Sequence, residues 1–445
     1  MTSVRSADSV QHAVKQAWNR KSSATNMDRW LTMCEHENWG NYPDNITLLA
    51  KIFGASWYFT RFIFYRGSEV VKYLDSEITT DFSKDNILRK LHWDNKKDDL
   101  EEQFDQLRID KNEIMFQIFL AHLDRKLNQE QQEAALTNLA EGTLQYALEL
   151  LAATYKADGD ASILAMGRMA GWEMNYGSDL DLIFLYGKES GKDQSVLIRQ
   201  IQALLRHIAL PTPFGILYEI DMRLRPHGTS GTLISPAQSF IEYHKDEREI
   251  WERQMMTRCR PVFDKTGLAE AAINTINLSI YSQHDGNQLK SEVIRMRKKV
   301  QEELGNPKDK YEIKRGYGGI MDIDFLTHYL QLSNGHGSPE LQTPSTRSAL
   351  RQLGNLGLLQ EQQVDELLTA YDFLKKIEGV LRVMDMKSIS AFSRDPADPG
   401  VLTLARAMGF DQDDNEASVV EFMEQYSDTT QRIRGHFIDN VGVLD

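Results

Sequence analysis

Gly167-Arg-Met-Ala-Gly-Trp-Glu-Met-Asn-Tyr-Gly-Ser-Asp-Leu-Asp-Leu-Ile-Phe-Leu-Tyr186 opens as a glycine-bearing turn and closes as an apolar strand. Side chains alternate across a strand, so Asp179 and Asp181 share one face. Leu180, Leu182 and Phe184 point to the other face and can enter a core. Two neighbouring carboxylates repel each other unless a cation lies between them. Mg²⁺ favours hard oxygen ligands and binds through one or two carboxylates plus substrate phosphates. The pair therefore reads as a metal site for a nucleoside triphosphate. Taken alone, an Asp-x-Asp at a strand entrance is more often only a solvated strand end. The three glycines from Gly167 to Gly177 favour the metal reading, because they let backbone N–H groups approach phosphate closely. Gly167, Arg168, Gly177 and Ser178 are the candidate nucleotide-binding residues of this turn. Neither a Walker loop nor a G-x-G-x-x-G dinucleotide turn occurs in the chain.

A glycine turn, a spacer of roughly ten residues and an Asp-x-Asp strand together resemble the signature of DNA polymerase β-like nucleotidyltransferases. GRMAGWEMNYGSDLDLIFLY is similar, more narrowly, to the active-site segment of bacterial glutamine synthetase adenylyltransferases, GKLGGxELxYGSDLDLIFL. Arg168 replaces the usual Lys and Ala170 the usual Gly. Arg keeps the charge but not the compact ammonium, which bears on phosphate contact more than on reaction class. The resemblance implies an α+β, predominantly helical fold, with a small mixed sheet as the nucleotidyltransferase core and helical domains on its flanks. It also implies Mg²⁺ as cofactor, ATP as substrate, glutamine synthetase as partner and a PII-type signal protein as a possible regulator.

Downstream of the core stretch, Gln194 to Leu210 reads as a helix ended by Pro211 and Pro213. Leu217 to Pro226 alternates cleanly and predicts a half-buried strand, with Glu219, Asp221, Arg223 and Arg225 on its polar face. Asp221 beside Asp179 and Asp181 would be a third carboxylate, and the resemblance implies the same. Arg223 and Arg225 could neutralise triphosphate oxygens or simply form cross-strand ion pairs. Pro226 to Gly231 resembles the family loop RLRPxGxxGxL, and its His227 reads as a solvated loop residue. Pro236 to Arg258 reads as one helix. A second Asp-x-Asp, Asp322 and Asp324, falls in a segment with helical spacing. Residues two apart on a helix diverge by about 200°, so these cannot form one metal pair. The family has a similar K…GGIxDIEF segment, which makes Lys314 and Asp322 candidates for lining the cleft from a distance.

The flanks read as helical. Ile46 to Phe64 carries apolar residues near a 3.6 period broken at Gly54, and its aromatics read as buried packing. KKDDLEEQ, from Lys96 to Gln103, reads as a solvated helix face or linker, and Asp158 and Asp160 as turn residues. The stripe Val364, Leu367, Leu368, Tyr371, Leu374, Leu381 and Met384 marks a long helix. The expected division is a helical region at 1–126, the catalytic domain at 127–335 and a helical bundle at 340–445. The 445 residues carry a net charge of −14, which argues against nucleic acid as a partner. Two distant cysteines, Cys34 and Cys259, match no zinc spacing and fit a reducing cytoplasm. No apolar run is long enough to span a bilayer.

The sequence thus predicts metal-assisted nucleotidyl transfer by Asp179, Asp181 and Asp221, moving AMP from ATP to a tyrosine of a protein acceptor. Removal of AMP by phosphorolysis needs the same metal site and is the alternative, and a nucleotide-binding regulatory module is a second. Family members are about twice this length and hold two catalytic halves, whereas one clear Asp-x-Asp strand occurs here.

Overall fold

The computed structural model describes residues 7–36, 44–91, 99–155, 161–187, 194–247, 249–282 and 285–444. Asp158, Asp160 and the first residues of the 96–103 stretch lie outside them. Five short strands make the central sheet: β1 (Ala161–Met166), β2 (Leu180–Tyr186), β3 (Ile220–Asp221), β4 (Ser235–Pro236) and β5 (Cys259–Phe263). Their order is β3-β2-β1-β5, with β4 also on β2. β1 pairs antiparallel with β2 and with β5. β3 and β4 run parallel to β2, one at each of its ends. The sheet is mixed and small, and helices surround it, as expected for a polymerase β-like core.

Apolar residues cover both faces of the sheet, which explains why Ile163 to Met166 of β1 are all apolar. Ile163 and Ala165 of β1 and Leu180, Leu182 and Phe184 of β2 pack into one core with the N-terminal helices. Leu164, Met166, Ile183 and Leu185 face a second core built with the C-terminal helices. Asp181 therefore shares its face with buried Ile183 and Leu185 and marks the polar end of that face.

Helices Ile46–Ala55 and Trp57–Arg66 meet at Ser56. Its hydroxyl accepts from Phe59 N at 3.2 Å and donates to the Val383 carbonyl at 2.6 Å, tying the N-terminal helices to a C-terminal one. Gly54 breaks the pattern because Ala17 lies against it, and a Cβ there would sit 2.7 Å from the Ala17 Cβ. Phe53 and Phe59 are buried as expected, while Trp57 is 58% exposed. Helix Glu361–Asp385 buries Val364, Leu367, Tyr371 and Leu374 of the predicted stripe.

Two predicted elements differ. The strand expected over 217–226 shrinks to Ile220–Asp221, because the chain turns immediately afterwards. The Arg225 guanidinium holds that turn, donating to the carbonyls of Met222 (2.7 Å), Thr229 (3.2 Å) and Gly231 (3.2 Å). The helix expected over 236–258 divides into Ala237–Glu242, a π-turn over Tyr243–Glu247, and Ile250–Met256. Glu249 starts the last of these through a capping box with Glu252. A two-stranded sheet, β6 (Lys310–Glu312) with β7 (Ala391–Ser393), joins the segment before helix Ile320–Asn334 to the C-terminal helices. No helix among the described residues is long and apolar enough to cross a membrane.

Candidate active site

The site forms where β1 ends and β2 and β3 begin. β1 stops at Gly167, whose φ of +58° belongs to the left-handed region. A Cβ on this residue would lie 2.9 Å from Oδ2 of Asp181. Glycine is needed here both for the turn and to leave room for the carboxylate. Gly177 also has positive φ, +59°, and packs against the carbonyl of Met386. Ser178 follows, and its hydroxyl accepts from Asn175 N at 3.0 Å and from Arg382 at 3.1 Å. Glu378 in turn holds Arg382 at 2.9 Å. The turn before Asp179 therefore rests on helix Glu361–Asp385.

Parallel pairing sets Asp181 opposite Asp221, and Leu180 N donates to the Glu219 carbonyl at 2.9 Å. One carboxylate oxygen each of Asp179, Asp181 and Asp221 lies within 4.8 Å of the others. Asp179 is exposed and the other two are half-buried. It is the one such cluster of possible metal ligands among the described residues.

The electrostatics are those of anions held together. Burial pushes the Asp181 carboxyl up to about 7, and the charges of Asp179 and Asp221 push the same way. Lys314 and Arg223 offset part of this. Asp221 moves the other way, held below its usual range chiefly by hydrogen bonds from Arg223. The Arg223 Nε reaches both Asp221 oxygens, at 3.0 and 2.8 Å, and Nη2 also donates. Arg223 is otherwise 76% exposed, so a competing cation can displace it. Three carboxylates converging at an open edge are the hard oxygen donor set that Mg²⁺ takes, with positions left for water and phosphate.

The other predicted site residues occupy distinct places. Lys314 is partly buried close to Asp181, and its amine is pulled down to about 8 by burial and then by Arg168. Arg168 turns behind the glycine turn rather than lying open. It pairs with Asp324 at 2.8 Å and with Glu173 at 3.1 Å, and donates to the Tyr371 hydroxyl. Arg225 is engaged by the three carbonyls of its own loop. Asp322 is fully buried in a separate cluster, between Arg297 and Arg434, and accepts from Gly318 N at 3.0 Å. The carboxylates of Asp322 and Asp324 thus pair with different arginines, as the helix period requires.

The chain's own wiring around the site was not visible in its motifs. Arg258 pairs with Glu173 and, at 3.2 Å, with Asp324, and its Nε donates to the Gly167 carbonyl at 3.2 Å. Tyr371 donates to Glu173 at 2.7 Å. Lys375 reaches Glu378 at 2.7 Å and Glu133 at 3.3 Å. Apart from Lys375 and Glu378, one helical turn apart, these partners are far apart in sequence, so no local pattern announces them. The family-like segment around Glu173 is the nearest signal.

A family model described as glutamate-ammonia ligase adenylyltransferase matches residues 46–275. The chain belongs to this family. A second model, described as GlnD PII-uridylyltransferase, matches residues 294–439. Similar curated proteins are bifunctional glutamine synthetase adenylyltransferase/adenylyl-removing enzymes. That of Nitrosomonas europaea is 32% identical over 307 residues, which is 67% of this chain and 33% of the relative. That of Bradyrhizobium diazoefficiens is 31% identical over 299 residues, 64% of this chain and 30% of the relative. That of Vibrio parahaemolyticus is 32% identical over 301 residues, 62% and 32% respectively. The chain spans about a third of the length of the curated relatives it matches.

Proposed function

We propose that this chain is a metal-dependent nucleotidyltransferase that moves AMP between ATP and a tyrosine of a protein acceptor, with glutamine synthetase as that acceptor. The observation that carries the reading is the convergence of Asp179, Asp181 and Asp221 to within 4.8 Å in a chain of this family. Mg²⁺ held by these carboxylates would supply charge neutralisation at the α-phosphate and at the leaving pyrophosphate. Asp179, Asp181 and Asp221 are the residues that would hold the cation, and Asp221 would help activate the acceptor hydroxyl for in-line attack. Gly167 and Gly177 keep the backbone low enough for phosphate to approach. Arg223, an exposed guanidinium beside Asp221, would be available to triphosphate oxygens. Lys314 supplies a second positive charge beside Asp181.

Removal of AMP by phosphorolysis is the same displacement run with phosphate as nucleophile, and the relatives' names carry both activities. A PII-type protein as regulator is part of the same proposal, supported by the second family match. The test is to incubate the full chain with labelled ATP, Mg²⁺ and glutamine synthetase, with AMP-modified glutamine synthetase plus phosphate in parallel. Label appearing on the acceptor, or AMP leaving it as ADP, supports the reading and gives its direction. Neither reaction, with tight binding to DNA or RNA instead, would overturn it.

A further inference from the structure

A cleft of about 750 Å³ lies apart from the carboxylates, none of which lines it. Its walls include the end of helix Leu100–Leu123 and parts of helices Glu361–Asp385 and Pro399–Met408. The size falls within the range of small-molecule sites, roughly 300–1,000 Å³.

The charges in this cleft are the reverse of those at the carboxylates. Lys51, Arg125 and Lys376 line it, and none of them has an ion-pair partner among the described residues. Lys376 and Arg125 stand close enough for the arginine to depress the lysine's pKa, beyond the larger effect of burial. Burial and then Lys376 pull His122 down to about 4, so it lines the cleft as a neutral ring at neutral pH. Arg125 holds a φ of +60°, an uncommon conformation for a side chain of its size. Two acidic residues line the cleft. Asp411 is taken by Arg20 at 2.8 Å and by Arg406 at 3.3 Å, which leaves Asp124 against three cations.

Lys376 also donates to the Met408 carbonyl at 3.5 Å, which leaves its charge unneutralised. Like charges that share a cleft without counter-ions are costly unless an anion joins them. A second observation is independent of charge. Tyr176 lines the cleft and is 1% exposed, yet its hydroxyl has no hydrogen-bond partner among the described residues. Oε1 of Gln129, another lining residue, is also unpartnered. A buried hydroxyl without a partner is uncommon and costly.

We propose that this cleft binds a small molecule carrying carboxylate or phosphate oxygens, held by Lys51, Arg125 and Lys376 with Tyr176 donating to it. The inference does not depend on the nucleotidyl-transfer reading. It also lies beside the catalytic turn, because Tyr176 immediately precedes Gly177, Ser178 and Asp179.

The full chain is titrated with inorganic phosphate, succinate and citrate in the absence of divalent metal. Binding is followed by calorimetry and by tryptophan fluorescence, since Trp18 also lines the cleft. Saturable binding of at least one probe is expected, and the tighter of phosphate and succinate names the oxyanion. Lys376→Gln and Arg125→Asn should each weaken it at least about ten-fold, the worth of a hydrogen bond to a charged group. Asparagine is chosen at 125 because it tolerates positive φ. Tyr176→Phe should weaken binding less and leave the melting temperature unchanged or higher. Asp181→Asn should leave anion affinity unchanged. No saturable signal from any probe in the millimolar range would overturn the proposal. So would binding that survives both Lys376→Gln and Arg125→Asn.

Discussion

The chain contains two Asp-x-Asp pairs, and backbone geometry gives them opposite fates. Asp179 and Asp181 flank the start of β2, where residues two apart share a face, and they meet each other and Asp221. Asp322 and Asp324 lie on helix Ile320–Asn334, where residues two apart diverge, and each finds its own arginines. Burial raises the pKa of Asp181 in the first pair to about 7, with the charges of Asp179 and Asp221 adding to it. In the second pair, Arg168 and Arg258 overcome burial and hold Asp324 below its usual range. Asp322 is raised by its complete burial, although Arg297 and Arg434 oppose this. The same dipeptide pattern thus makes a site that needs a cation in one place and two finished ion-pair clusters in the other.

The comparison breaks most visibly through turnover. Asp179→Asn or Asp181→Asn should lower metal-dependent AMP transfer by more than the roughly 100-fold that loss of an outer-shell partner costs. Circular dichroism should be unchanged. Near wild-type turnover in both variants at limiting Mg²⁺ would remove the metal assignment. Asp322→Asn should act on stability instead, because it leaves Arg297 and Arg434 buried without their carboxylate. Urea unfolding should show a loss of about 3–5 kcal/mol, while the folded fraction keeps its metal affinity. A variant as inactive as Asp179→Asn yet fully stable would contradict the separation of the two pairs.

Gly167→Ala tests the space left for Asp181. A methyl group there meets the Asp181 carboxylate at 2.9 Å and takes a φ of +58°. The expected cost is about 1–3 kcal/mol of stability with weakened metal binding, read by calorimetry. Wild-type values for both would show that the turn has slack.

The pH dependence follows from Asp181. Its pKa in the folded chain is raised from 3.8 to about 7, so the metal-free fold keeps a proton that the unfolded chain releases. The contribution of this group is complete below the unfolded value and is lost as pH rises through the folded one. The metal-free melting temperature should therefore fall as pH rises from about 5 to about 8, and Mg²⁺ should restore it most at the upper end. Asp181→Asn should flatten this part of the profile. The smallest effect is expected from Arg223→Gln, which frees Asp221 of an exposed competitor. Mg²⁺ affinity without nucleotide should rise by no more than a few-fold, and a fall would show that Arg223 supports the metal instead.

Local periodicity made one part of this legible. Period two paired Asp179 with Asp181, and period 3.6 parted Asp322 from Asp324. Asp221 followed from alternation and from the family-like segment, and β3 does set it beside Asp181. The alternation overstated the strand, because it cannot see Arg225 gathering three loop carbonyls just after Asp221. Arg168 read as a nucleotide-binding candidate, and its ties to Asp324 and Tyr371 were hidden because both are remote in sequence. The support of Ser178 by Arg382 was hidden for the same reason. β5 carries Pro261, and its buried residues Cys259, Val262 and Phe263 follow no simple alternation.

Mn²⁺ binding by electron paramagnetic resonance, on wild type, Asp181→Asn and Asp322→Asn at about pH 8, above the raised Asp181 pKa, tests the central claim most directly. Saturable binding is predicted in the wild type, with the same affinity in folded Asp322→Asn and a loss of more than about 100-fold in Asp181→Asn. Unchanged Mn²⁺ affinity in Asp181→Asn, or an equal loss in Asp322→Asn, would contradict it.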